Sequence, residues 1–312
     1  MTREAPDAPL PVGNNGAEAA SVGDAGTSGA TASGGWLVSL RQRLLSAVVL
    51  IPIVIALVWF GGWIAFAGAV LALALGMWEL RAMFANKGWY PLTFLSFALS
   101  LDFLVAAMLP GYRLTLVGIG ISAFIILSFT WVMVTRPTIE RTLIDWALTL
   151  AIPFYLGWSM ALFLMLRGST LGYGSNEFWW VLALFFMVWA NDTGAYVTGH
   201  FFGRNKLAPH ISPAKTREGF VGGLLLAVVA AFVFTLPLHI AWYHVVALGV
   251  LVAIAATVGD LAESLLKRGT GVKDSGTIVP GHGGILDRMD SLLFAVIIVF
   301  FYAAFLHGIP LS

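Results

Sequence analysis

The feature that most constrains this chain is a repeated apolar run. Crossing the roughly 30 Å hydrocarbon core of a bilayer takes about 17–25 apolar residues in a helix. Runs of that kind recur near 44–60, 62–80, 91–109, 114–134, 144–166, 178–198, 219–240, 242–259 and 291–308. Hydrophobic residues make up 59% of the chain and charged residues 11%, against about 25% charged in a soluble domain. The bilayer is therefore the expected solvent, and the expected fold is all-α and polytopic, with about nine transmembrane helices. The close pair around Gly61 also fits one re-entrant hairpin. Trp63, Trp78, Trp89, Tyr90, Tyr112, Trp179, Trp180, Trp242 and Tyr243 cluster at run ends, as an interfacial belt requires.

Charge placement gives an orientation. With the N-terminus inside, every one of the 17 Lys and Arg except Arg113 and Arg167 falls on the cytoplasmic side. That is the pattern of the positive-inside rule, and it predicts N-in, C-out. Residues 1–35 are rich in Gly, Ala and Ser and read as a disordered tail. Residues 36–177 read as N-terminal transmembrane helices. Residues 178–312 read as a catalytic region with cytoplasmic loops at 199–218 and 260–290. The chain has no cysteine, which excludes thiolate chemistry, and a net charge of +1, which argues for no nucleic-acid partner.

Functional polarity is concentrated in those two loops, whereas a transporter places it near the membrane midplane. The first stretch, "NDTGAYVTGHFFGRNKLAPHISPAKTREGFVGG", begins with Asp192 at the end of an apolar helix, a costly place for a bare carboxylate. Lys215, Ser212, Thr216 and the amides of a helix starting near Gly219 would suit phosphate groups. The same stretch also fits an ordinary positively charged loop.

In the second stretch Asp260, Glu263, Ser264 and Lys267 share one helical face. They read as a site or as a solvated face with internal ion pairs. Then follow Lys273 and "PGHGGILDRMD", with His282, Gly283, Gly284, Asp287, Arg288 and Asp290. Glycine lets a backbone approach a ligand closely. Mg²⁺ is usually bound by one or two carboxylates plus substrate phosphates, and Asp260 with Asp287 would supply them, with Asp192 and Asp290 as further candidates. His282 has no second histidine at zinc-ligand spacing, which leaves it to order backbone or contact phosphate. Nothing matches a P-loop or a G-x-S-x-G elbow.

Ser264-x-x-Lys267-Arg268, Lys273-Asp274, Gly276, Pro280, His282-Gly283-Gly284 and Asp287-Arg288-x-Asp290 closely resemble the signature of the phosphatidate cytidylyltransferase (CDP-diacylglycerol synthase) family. Val279 stands where Leu, Ile or Phe is more usual. The stretch from Asn191 to Gly223 is similar to that family's second block. The resemblance implies a multi-pass plasma-membrane enzyme that makes CDP-diacylglycerol and pyrophosphate from CTP and phosphatidic acid. It also implies dependence on Mg²⁺, a second, monovalent ion such as K⁺, and a homodimer. Asp260, Asp287, Lys267 and Lys273 are then the expected catalytic residues. Ser212, Lys215, Thr216, Ser264, Arg268, Lys273, His282, Gly283, Gly284 and Arg288 are the expected substrate contacts. A CTP-dependent polyprenol kinase, an ether-lipid cytidylyltransferase and a transporter are the competing readings.

Overall fold

The structure is a computed structural model that describes residues 48, 52–135, 139–168, 177–278 and 283–307. The N-terminal tail, part of the first expected span and His282 lie outside these residues. A helical stretch at 52–60 turns sharply at Gly61 and Gly62, both at positive φ, into α1 (Gly62–Ala85). There follow α2 (Thr93–Met108), α3 (Arg113–Thr135), α4 (Ile139–Ile152), a π-helical turn (Pro153–Trp158) and α5 (Ser159–Arg167). The remainder comprises α6 (Glu177–Phe202), β1 (Lys206–Ala208), β2 (Ser212–Thr216), α7 (Arg217–Phe232), α8 (Thr235–Leu238), α9 (Trp242–Thr270) and α10 (Leu286–His307).

Among the described residues six helical segments are long and apolar enough to cross a membrane. They are Gly62–Ala85, Pro110–Thr135, Arg141–Arg167, Glu177–Phe202, Trp242–Thr270 and Leu286–Leu306. The difference from nine has physical causes. The first expected run is only partly described. At 1.5 Å per residue, α2 and α7, 16 residues each, reach only about 24 Å. The expected run 219–240 breaks after Phe232 because Pro237 has no N–H and its ring would meet the Val233 carbonyl. The fold is all-α as expected, with one short hairpin in addition: β1 and β2 pair antiparallel in the connection after α6.

Helix α5 and the π-helical turn before it form the centre of the bundle. From Ser159 to Leu166 nearly every side chain is buried, and Leu156, Leu162 and Leu166 pack with Leu73, Trp180 and Phe300. Helix α3, by contrast, buries only Phe124, Ser128 and Val132. Helices α6 and α7 meet backbone to backbone. A Cβ at Gly219 would lie 2.8 Å from the Ala195 carbonyl, and one at Gly223 would lie 2.7 Å from that of Asn191. Small residues permit this approach, which brings dispersion contacts where apolar lipid supplies no hydrophobic drive. It also seats the β1–β2 hairpin beside α6.

Counting α4 and α5 as one rod, successive spans reverse direction, so their connections collect at two ends. The end of α1, the hairpin, the end of α9 and the start of α10 share one of them. Every described Lys and Arg except Arg113 and Arg167 is at that end. Arg167, at the other, donates to the carbonyls of Val58 and Trp59 and so closes the helical stretch before Gly61. Helix α9 is 29 residues long, about 43 Å. It is longer than the hydrocarbon core is thick, and its charged residues, from Asp260 on, all lie in its last turns.

Candidate active site

The last turns of α9 and the first turn of α10 build a buried charge triad. Glu263 and Lys267 are one turn apart, and Lys267 Nζ donates to Glu263 Oε2 at 2.8 Å. The same ammonium donates to Asp287 Oδ1 at 2.6 Å. Asp287 Oδ2 accepts from the Ser275 amide at 3.0 Å and the Gly284 amide at 2.8 Å, and lies 2.9 Å from the Ser275 hydroxyl. Gly283, at φ 82°, turns the chain tightly enough for this; a Cβ there would stand 2.6 Å from Asp287 Oδ2. Glu263 is 0% exposed, and the side chains of Lys267 and Asp287 are partly buried, at 13% and 7% exposed. Each of these charges needs the others, since water cannot replace a lost partner.

A second cluster adjoins the first. Lys215 Nζ, in β2, lies 2.5 Å from Asp260 Oδ2 on α9. Both line an open cleft of about 520 Å³ together with Asp192, Tyr196, His200 and Thr257. Asp192, Asp260 and Asp290 lie within electrostatic range of one another, and Lys215 lies within range of Asp192. Gly259 brings α10 close to α9 here: a Cβ would lie 2.5 Å from the Asp290 carbonyl. Asp290 also lies within range of Lys267, so it stands between the two clusters.

The expected face of Asp260, Glu263, Ser264 and Lys267 is thus divided. Asp260 turns to Lys215, with Ser264 Oγ 3.4 Å from its Oδ1, while Glu263 and Lys267 turn to Asp287. Asp260 and Asp287 pair with different lysines. Asp192 is not at the end of its helix, because α6 continues to Phe202. Thr216 caps α7: its Oγ1 accepts from the Gly219 amide at 3.1 Å. "SPAKT" is strand β2, and Ser212 opens it opposite Ala208. Arg268 reaches the Val272 carbonyl at 3.4 Å, just beyond the end of α9. Lys273 and Arg288 are exposed at the same end.

Glu218, in the exposed first turn of α7, closes the hairpin. It accepts from the amides of Arg204 and Asn205 and, at 2.7 Å, from Asn205 Nδ2. Its own amide and these donors hold its pKa down at about 2.

Two residues of this architecture escape a reading by motif. Ser275 lies inside the second segment as an ordinary loop serine. Glu79 lies far away in α1, yet its Oε1 accepts from the Ile285 amide at 2.9 Å and its Oε2 from the Leu286 amide at 2.9 Å. The signal for Glu79 is its chemistry: a carboxylate inside an apolar span needs partners.

The cleft carboxylates suit a hard cation. The donors at hand are oxygens, and among the described residues no three carboxylates or histidines converge into a closed cage. Mg²⁺ needs none, because one or two carboxylates suffice when water and substrate phosphates complete its octahedron. Asp260 with Asp192 or Asp290 fits that description. Both oxygens of Asp287 already face N–H and O–H donors.

Comparison with known proteins gives this geometry a context. The family model described as "Cytidylyltransferase family" matches residues 41–306. The phosphatidate cytidylyltransferase of Synechocystis sp. is 34% identical over 295 residues, covering 85% of this chain and 97% of its own. That of Haemophilus influenzae is 35% identical over 291 residues, covering 82% and 96%. That of Bacillus subtilis is 33% identical over 277 residues, covering 86% and 99%. A match that runs through nearly every described helix and takes in both charged clusters shows that the chain belongs to the cytidylyltransferase family.

Proposed function

We propose that this protein transfers the cytidylyl group of CTP to phosphatidate, giving CDP-diacylglycerol and pyrophosphate. The observation that carries the proposal is the meeting of two segments far apart in sequence. Lys215 of the first pairs with Asp260 at 2.5 Å, beside the triad in which Asp287 of the second holds Lys267. The family match over residues 41–306 takes in both segments, and the relatives are named phosphatidate cytidylyltransferase.

In the reaction a phosphate oxygen of phosphatidate bonds to the α-phosphorus of CTP as the bond from that phosphorus to the bridging oxygen breaks. Pyrophosphate leaves with the electron pair. Both partners are anions, so the protein's task is to align them and offset their repulsion. Lys267, pinned from two sides, and Lys215 present fixed positive charge. Ser264 and Thr216 offer hydroxyls, and Lys273 and Arg288 stand at the rim, where pyrophosphate departs. No residue has to remove a proton, because phosphatidate is already ionised at neutral pH. Asp260 and Asp287, with Asp192 and Asp290 beside them, would hold Mg²⁺, which when bound neutralises phosphate charge as a Lewis acid. A monovalent ion beside it belongs to the same reading.

The clusters belong on the cytoplasmic side of the plasma membrane, with nine crossings, N-in and C-out. The gathering of basic residues at the site end supports that side, and the alternation of helix direction supports the count. The homodimer implied by the family resemblance is part of this proposal; crosslinking in membranes that traps only monomers would refute it.

The direct test supplies the purified protein with phosphatidate vesicles and CTP labelled at either the α- or the γ-phosphate. The α-label should enter the lipid, pyrophosphate should be released, and chelating Mg²⁺ should stop both. Label arriving from the γ-position would mean a kinase, and no transfer from either would overturn the proposal.

A further inference from the structure

Glu79 is 2% exposed, and its neighbours Met77, Leu80, Met83 and Phe84 are buried apolar side chains. Packing alone would be served by another Leu or Met. A bare carboxylate in such a wall is costly, so its partners indicate its use. All of those identified lie in one remote segment. They are the amides of Ile285 and Leu286 at 2.9 Å each and the Ser275 hydroxyl at 3.1 Å from Oε2.

Two consequences follow for the signature turn. A helix start leaves its first amides without intrahelical partners, and these are usually met by a polar side chain at the preceding position. Ile285 occupies that position in α10 and has no polar group to offer. The carboxylate comes from α1 instead. A Cβ at Gly276 would stand 2.6 Å from Glu79 Oε1, and one at Gly284 would stand 2.5 Å from it. Glycine at these positions accommodates a protein carboxylate, so the amides of Ile285 and Leu286 are already taken and are not a cradle for substrate phosphate.

The Ser275 hydroxyl lies between Glu79 Oε2 and Asp287 Oδ2, at 3.1 and 2.9 Å, and has one proton to share between them. Glu79 therefore fixes the same turn whose Ser275 and Gly284 amides hold Asp287, which in turn holds Lys267. We propose that Glu79 is a positioning residue for the transfer reaction: from outside the signature it ties Ser275 to Ile285 and Leu286 at the start of α10 and so fixes where Lys267 stands. The proposal rests on the cytidylyltransferase reading above.

Glu79→Gln retains shape but turns an NH₂ toward one of the backbone amides. It should lower kcat about 10- to 100-fold, the scale of a displacement near 1 Å at the reacting groups, with KM for CTP changed less than about threefold. Combined with Ser275→Ala, the losses should fall short of the product of the single losses, because both act through one turn. Hydrogen exchange should quicken in the peptide containing Gly283–Asp290 and stay unchanged in the α6–α7 peptides. Wild-type kcat in Glu79→Gln, multiplicative losses, or unaltered exchange in that peptide would each overturn the proposal. If Glu79→Gln does not accumulate, Ser275→Ala carries the same kinetic and exchange measurements, with a smaller loss expected and no effect counting against it. Exchange is read without turnover, so a wild type that makes no CDP-lipid would sink the proposed reaction, while the exchange result still decides the role of Glu79.

Discussion

Lys267 is the residue on which the buried charges depend. It lies between Glu263, which is 0% exposed, and Asp287, whose oxygens are otherwise held by backbone amides and Ser275. Lys267→Met should therefore destabilise the protein by about 3–5 kcal/mol, the cost of leaving buried charge unpaired, and abolish transfer. Asp287→Asn should lose transfer with less harm to the fold, because its side chain keeps an oxygen for the amides of Ser275 and Gly284. Thermal unfolding in detergent beside a turnover assay separates the two; equal loss of stability in both variants would contradict this account. Lys267, Asp287 and the glycines were legible as a group because they share a short segment. Glu79 and Ser275 were not, since one is distant in sequence and the other is an unremarkable loop residue until the chain folds.

Helix α7 owes its position to glycine. At Gly223 a Cβ would meet the Asn191 backbone, whereas at Gly118 in α3 it would meet nothing within 4 Å. Gly223→Ala should cost about 1–3 kcal/mol through overpacking and reduce activity by moving the hairpin, with Lys215, away from Asp260. Gly118→Ala should be nearly silent or slightly stabilising. Similar unfolding temperatures for the two variants would refute the backbone contact as the determinant. The helices themselves were readable from apolar run length. Their ends were less so, because run length does not register a strand such as Ser212–Thr216 or the stop upstream of Pro237.

At the scale of the molecule, two ends of unlike charge face each other across an apolar bundle. The proposed orientation predicts which side each end occupies, and the absence of cysteine makes it testable with single introduced thiols. Lys87→Cys and Lys206→Cys should resist an impermeant thiol reagent in intact cells and react once the cells are opened. Tyr112→Cys, at a position 69% exposed at the opposite end, should react in both. The reverse pattern would overturn the orientation. By itself the sequence determined the solvent, the helical class, the asymmetry of charge and the segments that carry the chemistry. Each of these follows from local composition, since run length and loop charge act wherever they lie in the chain. Only the tertiary structure decided the pairings: Lys215 with Asp260, Lys267 with Glu263 and Asp287, and Glu79 with the start of α10. A buried charge has to find its partner through space, and which partner comes within hydrogen-bond reach is set by how closely the helices pack.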